Sequence, residues 1–263
     1  EDKDEPVDQA QQLLEIGVLA ERAVVQGSAQ GVVVEVLQEA LAEGQQGLLD
    51  ATPQAIAHAG AFLLAFLSCF DVGDRVAMAS PGYPCYRNIL SALGCEVVEI
   101  VCGPETRFQP TLAQLQEIEG PIHGLVIASP ANPTGTMIDP DQLAQIAAWC
   151  GATGVRLISD EIYHGITYAD EATASSWQTD RSGVVFGSFS KYFSMTGWRL
   201  GWMLVPDDLK RPVDVLTGNF TICPPALSQY AAVAAFTPES YAELDGHVAR
   251  YATNRRLLLD GLQ

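Results

Sequence analysis

The sequence predicts an α/β fold on a mostly parallel sheet, and three observations carry that reading. Short apolar runs recur at Val76–Ala79, Glu96–Val101, Gly124–Ala128, Val155–Ser159, Val184–Gly187 and Leu200–Val205. They are rich in β-branched residues and read as buried strands. Segments with helical signals separate most of them. From residue 71 to 236 this alternation implies parallel strands joined by crossovers. Four of the strands end in polar, chemistry-bearing stretches, and ligands of such sheets bind at the carboxyl ends of strands.

Taken in order, residues 6 to 26 and 32 to 43 read as helices, broken at Gly27-Ser28-Ala-Gln-Gly31. Residues 54 to 70 are apolar nearly all round, the pattern of a buried helix. Asp71–Arg75 is a turn before the strand at Val76, and Ser80-Pro-Gly-Tyr-Pro-Cys-Tyr86 follows that strand. Tyr83 and Tyr86 are read there as turn and core residues. A helix over Arg87–Leu93 closes at Gly94. The Gly124 strand ends in Ser129-Pro-Ala-Asn-Pro-Thr-Gly135, and Asp139 with Pro140 opens a helix as N-cap and first-turn residue. The Val155 strand runs into Asp160-Glu-Ile-Tyr163. Asp207–Thr217 and Ala226–Phe236 are helices, and Thr237-Pro-Glu-Ser240 carries the start signature of a last one.

Composition narrows the function. The 263 residues hold 14 Lys and Arg against 32 Asp and Glu, a net charge of −18. Nucleic acid and anionic membrane surfaces both demand a positive footprint, so neither is an expected partner. Six cysteines without a C-x-x-C pair read as buried free thiols in a reducing compartment. Four scattered histidines suggest no metal site. No apolar run reaches bilayer length and the acidic start is unlike a signal peptide, so a soluble cytoplasmic protein is expected.

The sharpest stretch is Ser188-Phe-Ser-Lys-Tyr-Phe-Ser-Met-Thr-Gly-Trp-Arg199, between two apolar strands. Its lysine is either a solvated surface charge or an amine among Phe189, Tyr192 and Phe193. In the second case the poorly solvated amine is nucleophilic, as Schiff-base chemistry with an aldehyde cofactor requires. Ser188 and Arg199 would offer a hydroxyl and a guanidinium to a phosphate.

This stretch resembles the lysine segment of the pyridoxal-phosphate-dependent class I and II aminotransferases, which share the aspartate-aminotransferase fold. Pro-Gly-Tyr-Pro at 81–84, Asn-Pro-Thr-Gly at 132–135 and Asp160-x-x-Tyr163 resemble the family's motifs in the family's order. The resemblance implies a three-layer α/β/α large domain over residues 51–236. Residues 1–50 would be a helical segment of a smaller domain, and 237–263 the truncated start of its C-terminal part. It implies pyridoxal 5'-phosphate as cofactor, held by a Schiff base to Lys191, which also moves the substrate α-proton. Asp160 would keep the pyridine nitrogen protonated, Tyr83 would stack on the ring, and Asn132 with Tyr163 would share the phenolic oxygen. Ser188, Arg199 and the amides of Ala59 and Gly60 would hold the phosphate at a helix start.

Three departures stand beside these matches. Leu48 occupies the place of a family tyrosine that reaches the neighbouring subunit's phosphate, and His58-Ala-Gly60 replaces a hydroxyl-bearing loop. The family's carboxylate-binding arginine lies in a later C-terminal segment, and Arg250, Arg255 and Arg256 come too early to match it. The resemblance implies transfer of an amino group between an amino acid and a 2-oxo acid, in a homodimer with sites at the subunit boundary. A related pyridoxal-phosphate lyase and a non-catalytic relative that only binds cofactor remain open alternatives.

Overall fold

Seven short strands make a single sheet in the computed structural model, which describes residues 52–56, 58–168 and 173–262. The expected helices at 6–26 and 32–43, and Leu48, lie outside the described residues. The strands are β1 (Thr52–Ile56), β2 (Arg75–Ser80), β3 (Glu96–Val101), β4 (Gly124–Ala128), β5 (Arg156–Asp160), β6 (Val184–Ser188) and β7 (Gly201–Val205). Their order across the sheet is β1-β7-β6-β5-β4-β2-β3. The pairs from β3 to β6 are parallel, and β7 runs antiparallel to both β6 and β1. The expected mostly parallel α/β sheet is therefore present.

Alternate residues of the central strands feed two separate cores, because side chains in a strand point to opposite faces in turn. Val76, Met78, Val126, Ile158 and Phe186 face one core; Ala77, Leu125, Ile127 and Leu157 face the other. The first core is closed by helices α1 (His58–Cys69), α2 (Pro84–Ala92) and α5 (Asp207–Phe220), through Phe62, Phe66, Tyr86, Leu90, Leu209 and Val213. The second is closed by α3 (Leu112–Gln116) and α4 (Pro140–Thr153), through Leu115, Leu143, Ile146 and Cys150. Three layers result, with the sheet buried on both faces. Such strands read as continuous apolar runs rather than alternating ones.

Local signals set the helix ends. Asp139 accepts a hydrogen bond from the Asp141 amide (3.0 Å), Pro140 occupies the first turn of α4, and Gly154 closes it with a left-handed φ of 73°. Thr237 accepts from the Ser240 amide (3.2 Å) and starts α7 (Pro238–Gly261). The helix α6 (Ala226–Ala234) begins just after Pro224 and Pro225.

One expectation is corrected. The helix read from Gln54 to Phe70 is two elements: Thr52–Ile56 is strand β1, and α1 starts at His58. All five residues of β1 register against β7, from Thr52 opposite Val205 to Ile56 opposite Gly201. Helix formation by so short a piece is unfavourable, whereas the open edge of β7 satisfies its backbone groups directly. The uniform burial expected of the thiols also needs revision. Cys95, Cys102 and Cys150 are buried, Cys69 and Cys85 are half-buried, and Cys223 is exposed. No helix among the described residues is long and apolar enough to cross a membrane.

Candidate active site

The carboxyl ends of β4 and β5 are level, and β6 runs two residues beyond them. Ala128, Asp160 and Phe186 are neighbours in register, and the Ser129 and Glu161 amides extend the ladder to the Asp160 and Phe186 carbonyls (3.1 and 3.0 Å). The chain leaves the sheet at this rim, as it does after Ser80 on β2. A cleft of about 190 Å³ opens there, lined by Tyr83, Tyr86, Asn132, Asp160, Tyr163 and Lys191, with Ala128, Pro130 and Ile162 between them.

Each polar side chain reaches the cleft for a local reason. Tyr83 is the N-cap residue of α2, one turn before Tyr86, and the two rings meet edge to face at 5.5 Å. Gly82 permits this turn, because a Cβ there would lie 2.6 Å from the Ala79 carbonyl oxygen. Asn132 sits on a loop tied to itself, with the Gly135 amide donating to Ala131 (2.8 Å) and the Ala131 amide to Thr136 (2.9 Å). Lys191 lies in the loop between the antiparallel β6 and β7, and its Nζ is 5.3 Å from the centre of the Tyr163 ring. That loop is pinned at its base, where the Phe189 amide donates to the Leu200 carbonyl (3.2 Å). Phe189, Phe193 and Met195 pack it onto α6. The Tyr192 hydroxyl donates to Asp245 of α7 (2.6 Å).

Asp160 is the buried charge of the site, 2% exposed. Its Oδ1 accepts from the Ile162 amide (3.1 Å) and its Oδ2 from the Tyr86 hydroxyl. Burial pushes its carboxyl up to about 6, against the pull of those two donors and of Lys191. Burial, with the Asp160 charge beside it, drives the Tyr86 phenol well above its ordinary value. Tyr86 therefore stays protonated across the range in which Asp160 ionises.

Of the residues singled out in the sequence, Tyr83, Asn132, Asp160, Tyr163 and Lys191 come together in the cleft. Ser188 is buried at the end of β6, where its hydroxyl donates to the Leu200 carbonyl (3.3 Å) and accepts from the Ser190 amide (3.1 Å). Arg199 is exposed and donates to the Thr196 carbonyl (3.0 Å). Ala59 and Gly60 lie in the first turn of α1. Ser188, Arg199 and Gly60 are not among the described residues that line the cleft.

Sequence reasoning missed two residues. Tyr86, read as packing, is a direct partner of Asp160; the signal was its place one helical turn beyond Tyr83 at a strand end. Glu161, 6% exposed, anchors the loop after β5 by accepting from the Ser159 hydroxyl and the Ser176 amide, both at 3.0 Å.

The chain matches the family model "Aminotransferase class I and II" over residues 56–263. The chain belongs to this family. A valine–pyruvate aminotransferase of Mycobacterium tuberculosis is 68% identical over 215 residues, 81% of this chain and 55% of that protein. An aminotransferase structure from Mycobacterium tuberculosis superposes with a TM-score of 0.85 at 59% identity, covering 94% of this chain and 66% of that one. The Thermus thermophilus aspartate aminotransferase with maleate gives 0.83 at 28% identity, covering 94% and 68%. The chain thus spans about half the length of curated relatives that it matches.

Class I and II aminotransferases depend on pyridoxal phosphate, and the cleft suits that group. It offers a buried carboxylate for a protonated ring nitrogen, an amine for an aldehyde, and a flat ring at its mouth, Tyr83.

Proposed function

We propose that this chain carries the cofactor-binding part of an aminotransferase that moves an amino group between an amino acid and a 2-oxo acid. The observation that supports this best is the convergence of Lys191, Asp160, Tyr163, Asn132 and Tyr83 from four strand ends on one cleft. Bound pyridoxal phosphate would supply an electron-accepting ring. Asp160 would hold the proton on the ring nitrogen, since a buried carboxylate favours an adjacent cation. Asn132 and Tyr163 would offer hydrogen bonds to the phenolic oxygen, and the Tyr83 ring would cover the flat face. Lys191 Nζ would hold the aldehyde carbon and, when free, would take up and return the proton at the substrate α-carbon. Ser188, Arg199 and the amides of Ala59 and Gly60 are the phosphate ligands of this reading.

The 68% identical relative supports an aliphatic amino acid such as valine, with pyruvate as acceptor. Residues 51–236 form the cofactor domain in this reading, and residues 1–50 and 237–263 belong to a smaller one. In support, Leu244 is the one buried residue of α7 among the described residues. The working form is a homodimer, and free thiols support a reducing, cytoplasmic setting.

The test is a visible spectrum of the chain with added pyridoxal phosphate, before and after borohydride reduction, beside Lys191→Ala. A band fixed by reduction in the native chain and lost in the variant is expected, with valine and pyruvate turnover as the next measurement. No band, or an equal band in the variant, overturns the reading in favour of a relative without cofactor chemistry.

A further inference from the structure

Among the described residues, Asp160 has no basic partner in direct hydrogen bond. Its two oxygens are satisfied instead by a backbone amide and a phenol, Ile162 N–H on Oδ1 and Tyr86 O–H on Oδ2. The phenol comes from α2, 74 residues away in sequence, and is itself 4% exposed. Its ring is fixed on both sides, edge-on to Phe62 at 5.0 Å and to Tyr83 at 5.5 Å. The hydroxyl is therefore aimed by packing.

We propose that Tyr86 is a positioning residue, a permanent hydrogen-bond donor that keeps Asp160 ionised and oriented into the cleft. The proposal rests on the cofactor reading for its purpose, since an ionised Asp160 matters only if it faces a protonated ring nitrogen. The donor itself is independent of any ligand. Other groups facing Asp160 are Cys85 on α2, Glu161 and Tyr163 on the loop after β5, and Lys191 on the loop after β6. Glu161 pushes protons onto Asp160 and Lys191 pulls them off. Tyr86 changes no charge over the working range, because burial keeps its own proton in place. A donor that titrated, such as an imidazole, would let Asp160 drift with pH. A phenol makes the ionisation of Asp160 a single step.

The test reads Asp160 in the chain without cofactor, by carbon-13 carboxyl NMR against pH, with Asp160→Asn to assign the signal. Tyr86→Phe removes only the hydroxyl and keeps the ring contacts. Loss of a hydrogen bond to a charged acceptor is expected to move the Asp160 midpoint up by about one pH unit or more. Placing 3-fluorotyrosine at 86 makes the phenol a stronger donor and should move the midpoint down, which serves if Tyr86→Phe does not fold. A midpoint unmoved in either variant overturns the proposal. The borohydride-fixed band of the native chain is scored separately. Its absence sinks the cofactor reading, while the ligand-free titration still decides the role of Tyr86.

Discussion

Asp160 joins the site's chemistry to the stability of the chain. Its ordinary value of 3.8 is raised to about 6 in the fold, chiefly by burial. A carboxyl that holds its proton more tightly when folded favours folding most below about pH 4, and that contribution is lost as pH rises through about 6. The difference corresponds to on the order of 3 kcal/mol at 1.36 kcal/mol per pH unit. Urea unfolding of the native chain and of Asp160→Asn, measured side by side from pH 4 to 7, should show the native chain losing stability relative to the variant across that window. Parallel curves would mean that Asp160 is better solvated than its burial implies. Lys191, Asn132 and Tyr163 were legible in the sequence because each follows a recognisable strand inside a local motif. The Tyr86–Asp160 bond was not legible. No local pattern announces a contact between residues 74 apart, and a tyrosine one turn into a helix has core packing as its ordinary reading.

At the scale of elements, the hairpin of β6 and β7 carries the tightest fit. Gly187 stands opposite Trp202, and a Cβ added there would lie 2.2 Å from the indole ring. Gly187→Ala should therefore destabilise by about 1–3 kcal/mol through overpacking. The same change in a Trp202→Phe background should cost less; equal costs in the two backgrounds would refute the steric account. On the opposite side of the sheet, α1 depends on Phe62, whose ring lies 4.3 Å from Phe186 and 5.0 Å from Tyr86. Phe62→Ala should lower unfolding free energy by about 3–5 kcal/mol, read from the denaturant midpoint at unchanged slope. The central strands were legible because burial on both faces makes them continuous apolar runs. β1 was not, since Thr52–Ile56 leads into an apolar helix with little to mark a boundary, and only the partner strand β7 decides its form.

For the molecule as a whole, charge sets the terms. With a net charge of −18, the folded chain repels itself, and salt screens that repulsion over about 10 Å at 0.1 M. Raising sodium chloride from about 0.01 to 0.3 M should lift the thermal midpoint by a few degrees. A midpoint that falls with salt would show that attractive pairs such as Arg75–Glu96 (3.0 Å) and Arg156–Asp208 (2.6 Å) outweigh the net repulsion. The three-layer arrangement followed from the alternation of strand and helix signals, because parallel strands need crossovers and crossovers cover both faces. The lysine loop that crowns the sheet has a kinetic consequence of its own. It is knotted on itself at several points: Ser194 N–H to the Lys191 carbonyl (3.0 Å), Met195 N–H to the Phe189 carbonyl (2.9 Å) and the Thr196 hydroxyl to the Ser190 carbonyl (2.6 Å). In the proposed reaction Lys191 would thereby be a reactant on a short leash. Its backbone is held while its four-carbon arm is free to rotate, so the amine would return to a bound target on the picosecond-to-nanosecond scale of side-chain rotation, without a diffusional search.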